Sequence, residues 1–271
     1  MKKWILVAAL ALTVSLLAAC GGEEASSEDK KEVTIGATSG PYSDMVTKAI
    51  KPGLEEKGYT VEVKEFSDYI QPNNALAQGD LDANLFQHKI YMETFAKQHN
   101  MDLSEVIVVP TAPMGIYSQK FDSIDDIKEG SAIAIPNDPT NAARAFQILE
   151  DAKLITLKPD TDPLTVSEKD IAENVKNLQF KPIEAAQLPR AVDSVDLSAV
   201  PGNYALAADM DLLDALQLED MPDQYRNRVV MNTKDVDSQL AKDIKAVVEA
   251  DQFEKTIDQE FKGFGKPEWM E

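Results

Sequence analysis

The sequence predicts an α/β protein built as two lobes, and three observations carry that prediction. Short apolar or alternating runs are separated by stretches whose apolar residues recur at helical spacing, the pattern of parallel β-α-β units. Past Pro110 the series begins again near Met114. The chain then ends on a long helical stretch, about Asp237 to Phe261, with no strand after it, as a chain would that builds one lobe, crosses to a second and returns to close the first.

The elements follow in order. Val33 to Thr38 alternates and meets Ser39-Gly40-Pro41, a turn that opens a helical stretch over 42–59. Thr60 to Phe66 alternates as a second strand, and Pro72 starts a short helix that stops at Gly79. A brief strand at Ala83 to Phe86, a helix over 90–100 and the apolar run Val106 to Val109 complete the first series. The second holds Met114 to Ser118, a capped turn at Ser123 and Asp126, and the buried-strand run Ala132 to Ile135. It continues with a helix opening at Asp138, helices near 166–170 and 184–190, and an apolar segment from Val195 to Val200. Residues 33–110 and 230–271 are thus expected in lobe 1, and residues 111–229 in lobe 2. Nothing repeats at a short fixed period, which excludes solenoids and propellers.

The N-terminus reads MKKWILVAALALTVSLLAAC: two lysines, an apolar run, then small residues before the chain's one cysteine. Residues 1–19 have the form of a signal peptide. Leu17-Ala18-Ala19-Cys20 resembles the bacterial lipoprotein signal, which implies that Cys20 carries a diacylglycerol and an added acyl chain and anchors the mature protein to a membrane on its extracytoplasmic face. With a single cysteine no intramolecular disulfide forms. Residues 20–32 are small, polar and charged, too poor in apolar surface to offset their ordering entropy, and read as a flexible tether. The formal charge of −20 at pH 7 excludes nucleic acid as a partner and makes most Asp and Glu residues solvated surface.

Catalytic and metal signatures are missing from the sequence. His88 and His99 with one cysteine do not supply the short-spaced ligands of a zinc site, and no metal or cofactor is expected. There is no G-x-S-x-G elbow and no phosphate loop; Gly263-Phe264-Gly265-Lys266 is a partial match without a strand-to-helix context. The pairs Asp125-Asp126 and Glu55-Glu56 read as helix-surface charge, and no catalytic residue is assigned. Catalytic carboxylates leave no local pattern, so a surface hydrolase stays open as an alternative.

Polar and aromatic residues gather instead at strand-to-helix junctions, where ligands bind in open α/β sheets. Tyr69 lies in the first such junction, as lobe packing or as ligand wall. Phe86, His88 and Tyr91 lie in the second, more amphipathic rings than a small core needs, and suit a soft apolar group. In the third, Asp138 is a good N-cap and Pro139 fits the first helical position, while Asn141 and Arg144 follow one turn apart. Those two polar side chains on an alanine-rich helix have two explanations, a salt bridge to a local carboxylate or a bound anion. Asn203, after Val200-Pro201-Gly202, is either a cap or an amide for a ligand's ammonium or carboxylate.

Taken together, FSDYIQPNNALAQGDLDANLFQH, VVPTAPMGIYS, IAIPNDPTNAARA and VPGNYA, in this order behind the lipobox, closely resemble the methionine-binding lipoprotein family over nearly all of the chain from Val33. The resemblance implies a two-lobed periplasmic-binding-protein-like fold with a ligand cleft between the lobes, acting as a monomer and not as an enzyme. It implies capture of L-methionine or a related small molecule, such as another amino acid or a methionine-containing dipeptide, and delivery to the permease and ATPase subunits of an ABC importer. Carried over to matching positions, Arg144 would pair with the ligand carboxylate and Asn141 and Asn203 would bond its polar ends. Tyr69, Phe86, His88 and Tyr91 would surround the thioether chain.

Overall fold

The structure, a computed structural model, describes residues 32–270; the leader, Cys20 and the tether up to residue 31 lie outside the described residues. Glu32, read from sequence as the end of the tether, is already the first residue of a strand. The first sheet is begun by β1 (Glu32–Thr38), β2 (Thr60–Phe66), β3 (Ala83–His88) and β4 (Leu103–Val108). The chain then crosses to β5 (Gly115–Tyr117) and β6 (Ala132–Pro136) of a second sheet, and makes a small antiparallel ribbon of β7 (Ile155–Leu157) and β8 (Ile171–Asn174). It adds β9 (Gln179–Ile183), β10 (Leu197–Val200) and β11 (Gln217–Leu218) to the second sheet, and returns to the first as β12 (Asn227–Asn232).

The first sheet has the order β2-β1-β3-β12-β4 and the second β11-β5-β10-β6-β9. In each, parallel pairs formed through helical crossovers sit beside strands that run antiparallel. Each lobe has its own core. Ile35, Met45, Leu54, Leu85 and Val229 pack with Ile244 and Phe253 of the closing helices in lobe 1; Met114, Ile133, Phe146, Leu149 and Leu197 pack in lobe 2. Among the described residues no helix is long and apolar enough to cross a membrane.

Several elements differ from the sequence expectation, each for a local reason. The first helical stretch is α over Pro41–Met45, π over Val46–Ile50 and α again over Lys51–Glu56. Pro52 has no N–H to donate one turn back, and the wide turn precedes it. The long C-terminal helix is two, Gln239–Val248 and Asp251–Glu260, because Ala250 takes an extended backbone between them. β9 carries Pro182, which hides it from strand patterning; it lies at a sheet edge, where a missing donor is tolerated.

The return to lobe 1 also begins earlier than the 229/230 boundary read from sequence. Asn227 already pairs with His88 of β3, so residues 227–229 belong to the first sheet. The reason is Arg228, a charged residue at the second position of a buried strand, which breaks the apolar pattern; its guanidinium is satisfied by Glu105 and Asp223.

The two crossovers run side by side. Val109 donates its N–H to the Asn227 carbonyl (2.8 Å), and Thr111 Oγ1 accepts from Asn227 N–H (2.7 Å). Gly265 of the C-terminal tail exchanges two backbone bonds with Thr111 (3.1 and 2.9 Å). Gly202, at the start of the helix Gly202–Ala207, lies hard against the first crossover: a Cβ there would come within 2.4 Å of the Pro113 carbonyl oxygen. Gly202→Ala must therefore push backbone apart where the lobes join, and is expected to cost about 1–3 kcal/mol, read as a lowered midpoint in chemical denaturation against wild type.

Candidate functional site

The helix Pro139–Asp151 begins with Asp138, whose carboxylate accepts from the Asn141 backbone N–H (2.9 Å) and from the Asn141 side-chain amide (3.1 Å). This cap fixes the side chain of Asn141 and turns its Oδ1 toward lobe 1 and Arg144. Arg144 Nη1 donates to that oxygen at 2.9 Å. Arg144 Nε and Nη2 donate to the two carboxylate oxygens of Glu219 at 2.8 and 2.6 Å, a bidentate pair in which both side chains are about 5% exposed. Burial disfavours the guanidinium's charge, but the charge and hydrogen bonds of Glu219 outweigh it and hold Arg144 more firmly protonated than usual.

Of the two explanations left open for Arg144, the local carboxylate is therefore the one observed. Glu219 thereby takes the Nε–Nη2 edge of the guanidinium. Five N–H donors less the three used leave one on each of Nη1 and Nη2.

On the opposite side, β3 ends in Phe86, Gln87 and His88, and the helix Lys89–His99 starts there. His88 caps that helix through Nδ1, which accepts from Tyr91 N–H at 3.1 Å. The proton of the neutral ring is then on Nε2, 3.3 Å from Asn141 Oδ1. Burial first, and the charge of Arg144 second, push the imidazole's pKa well below its usual 6.5. Beneath it, Asn73, Asn84 and Gln87 form a buried amide cluster; Asn73 and Gln87 exchange two bonds at 2.8 and 2.7 Å. Gln87 is thereby held rigid at the cavity wall.

Tyr69, Phe86 and Tyr91 make a ring cluster with centroids 5.8–5.9 Å apart, tied by a hydrogen bond from Tyr91 Oη to the Tyr69 carbonyl (3.0 Å). Tyr69 Oη donates to Asn203 Oδ1 at 2.7 Å, and Tyr204 Oη donates to the Ser67 carbonyl at 3.2 Å. These bonds and the His88–Asn141 pair join lobe 1 to lobe 2, so the lobes meet across the cleft. With its Oδ1 occupied, Asn203 has only Nδ2 to offer, and that donor is buried without a partner.

All seven residues singled out from sequence, Tyr69, Phe86, His88, Tyr91, Asn141, Arg144 and Asn203, line one narrow cavity, whose open space of about 20 Å³ shows the lobes drawn together over it. Tyr42, Gln87, Thr111 and Asn227 are among its remaining walls and were not singled out. Gln87 lies inside the second junction motif; Asn227 is signalled only by its place at the start of the return strand. Asn227 Nδ2 donates to the Phe86 carbonyl (2.9 Å), while its Oδ1 takes no hydrogen bond among the described residues. Tyr225, from the second crossover, stacks its ring against Arg144 and meets His88 edge-on at 5.2 Å. Glu219 has no local signal, being 75 positions from its partner.

Residues 33–269 match a family model described as NlpA lipoprotein. The chain belongs to the NlpA lipoprotein family. The D-methionine-binding lipoprotein MetQ of Salmonella typhi is 34% identical over 256 residues, 93% of either chain. Among solved structures, a nutrient-binding protein from Burkholderia cenocepacia bound to methionine is 37% identical with a TM-score of 0.81, covering 85% of this chain and 97% of that one. An ABC-transporter periplasmic substrate-binding protein from Coxiella burnetii is 33% identical with a TM-score of 0.82, covering 87% and 100%. The family and the two-lobed binding-protein fold read from the motifs thus both hold.

The buried imidazole makes stability depend on pH in a definite direction. Unfolded, His88 takes up a proton near its usual 6.5; folded, it does so only at much lower pH. Below about pH 6.5 the unfolded state alone gains that proton, so the contribution is complete above this pH and declines as pH falls toward the folded value. Denaturation midpoints measured from about pH 7.5 down to about pH 5 should fall more steeply in wild type than in His88→Gln, by up to about 1.4 kcal/mol per pH unit. Equal slopes would show that His88 is not buried neutral.

Proposed function

We propose that the chain captures methionine in the cavity between its lobes and hands it to an ABC importer. The observation that carries this reading is the division of the walls: clustered rings on one lobe face amides and a paired guanidinium on the other, with the Asn203 Nδ2 donor buried and unmatched between them. An orphaned buried donor costs about 1–3 kcal/mol unless a ligand acceptor fills it. A carboxylate on Asn203 Nδ2 and on the unassigned N–H groups of Arg144 would do so. The ammonium would then bond Asn227 Oδ1, and the thioether chain would lie against Tyr69, Phe86, His88 and Tyr91. Burying that chain contributes roughly 1.5–3 kcal/mol, and sulfur–ring contacts up to about 1.5 more.

Support also comes from the relatives: one is named as binding D-methionine, one was solved with methionine bound, and one is described as a component of an ABC transporter. Since ligand contacts come from both lobes, only the closed arrangement makes all of them, and ligand binding shifts the lobes toward the shape an importer can recognise. In this reading the protein is a monomeric binding protein and not an enzyme. It is held at the extracytoplasmic face of the membrane by an acylated Cys20, as the lipobox implies and as the lipoprotein names of its relatives support.

Calorimetric titration of refolded, ligand-free protein with L- and D-methionine should give a saturable heat and a raised melting temperature for at least one enantiomer. Asn203→Ala should weaken that binding by about 1.5–3 kcal/mol, roughly ten- to a hundredfold, as for loss of a hydrogen bond to a charged group. No heat and no thermal shift with either enantiomer would overturn the reading.

A further inference from the structure

The Arg144–Glu219 pair points beyond the identity of the ligand to how the cleft selects its charge. A guanidinium meant only to hold an anion would be left free to grip it. Here the guanidinium is matched before any ligand arrives, with Glu219 fixed from behind by the Met114 N–H, which donates to Oε2 at 3.1 Å. Two other charges near the cavity are also matched, while among the described residues Asp68 and Glu184 accept only backbone N–H groups, of Ile70 and Gln71 and of Ala186. Arg228 is held by Glu105 and Asp223, and Asp138 sets its carboxylate against the positive end of the helix Pro139–Asp151. His88 is neutral through burial and the charge of Arg144.

From this geometry we infer that Glu219 is a specificity-determining residue: by matching Arg144 inside the wall, it makes the cleft select amino acids of zero net charge over anions and cations. A zwitterion gains from both members of the pair, its carboxylate from Arg144 and its ammonium from the field of Glu219. An anion gains from one and is opposed by the other, and so is a cation. In a buried site at a few ångströms these opposing effects are large enough to decide selection. The inference rests on the methionine reading above and adds to it the rule by which charged ligands are refused.

The test measures affinities of wild type, Glu219→Gln, Arg144→Gln and the double variant for three ligands of similar shape: methionine, its des-amino analogue (an anion) and its decarboxylated analogue (a cation). Glu219→Gln should raise the affinity for the anion relative to methionine by on the order of tenfold. Arg144→Gln should raise the affinity for the cation relative to methionine by a similar factor, reading the same pair from the other side if the first variant does not fold. The double variant should bring both ratios back to within about threefold of wild type. A purely structural role for the pair would change all three affinities together and leave the ratios alone. Unchanged ratios in the single variants, with wild type binding methionine, would overturn this inference alone. A wild type that binds none of the three would overturn the methionine reading and this inference with it.

Discussion

Two charges buried side by side are tolerable only when they are paired at close range, and the Arg144–Glu219 pair meets that condition with two short parallel hydrogen bonds and a backbone donor behind the carboxylate. The rest of the site is arranged from it. Arg144 bonds Asn141, Asn141 meets the His88 ring across the cleft, and His88 caps the helix that carries Tyr91. A continuous line of hydrogen bonds thus runs from the edge of lobe 2 to the aromatic wall of lobe 1. Loss of either end of the pair would leave an uncompensated charge in the wall and release Asn141 from one of the groups that orient it.

The two walls divide the work by chemistry. Lobe 1 supplies rings whose positions are fixed by one another and by the Tyr91–Tyr69 bond, a surface suited to a flexible, polarizable side chain. Lobe 2 presents the polar side chains of Asn141, Arg144 and Asn203, and Asn227 of β12 adds one amide from the lobe 1 side. Each set by itself is a weak site. Contacts from both require closure, and closure is already favoured by Tyr69 bonding Asn203 and Tyr204 bonding Ser67. A ligand adds its own contacts to an equilibrium that these bonds already bias.

Features set by near neighbours were legible in the sequence. The Asp138 cap, the proline after it and the one-turn spacing of Asn141 and Arg144 follow from helix geometry alone. The ring-rich end of β3 follows from the same kind of local reading. What escaped is non-local. Glu219 lies in a polar segment after a two-residue strand, and nothing near it announces Arg144. Arg228 hid the start of β12, because a charge inside a buried strand contradicts the pattern by which strands are found; only the structure shows Glu105 and Asp223 waiting for it. The same limit explains why the sequence left Arg144 with two explanations: the choice depended on a partner that folding, not spacing, brings beside it.

The most direct measurement is a crystal structure of the protein with methionine bound. It should show the amino acid in the cavity, its carboxylate on Asn203 Nδ2 and the outer N–H groups of Arg144, its sulfur among Tyr69, Phe86 and Tyr91, and Glu219 keeping both of its bonds to Arg144. A ligand carboxylate found in the place of Glu219 on that guanidinium, or a ligand seated away from these rings, would contradict the account.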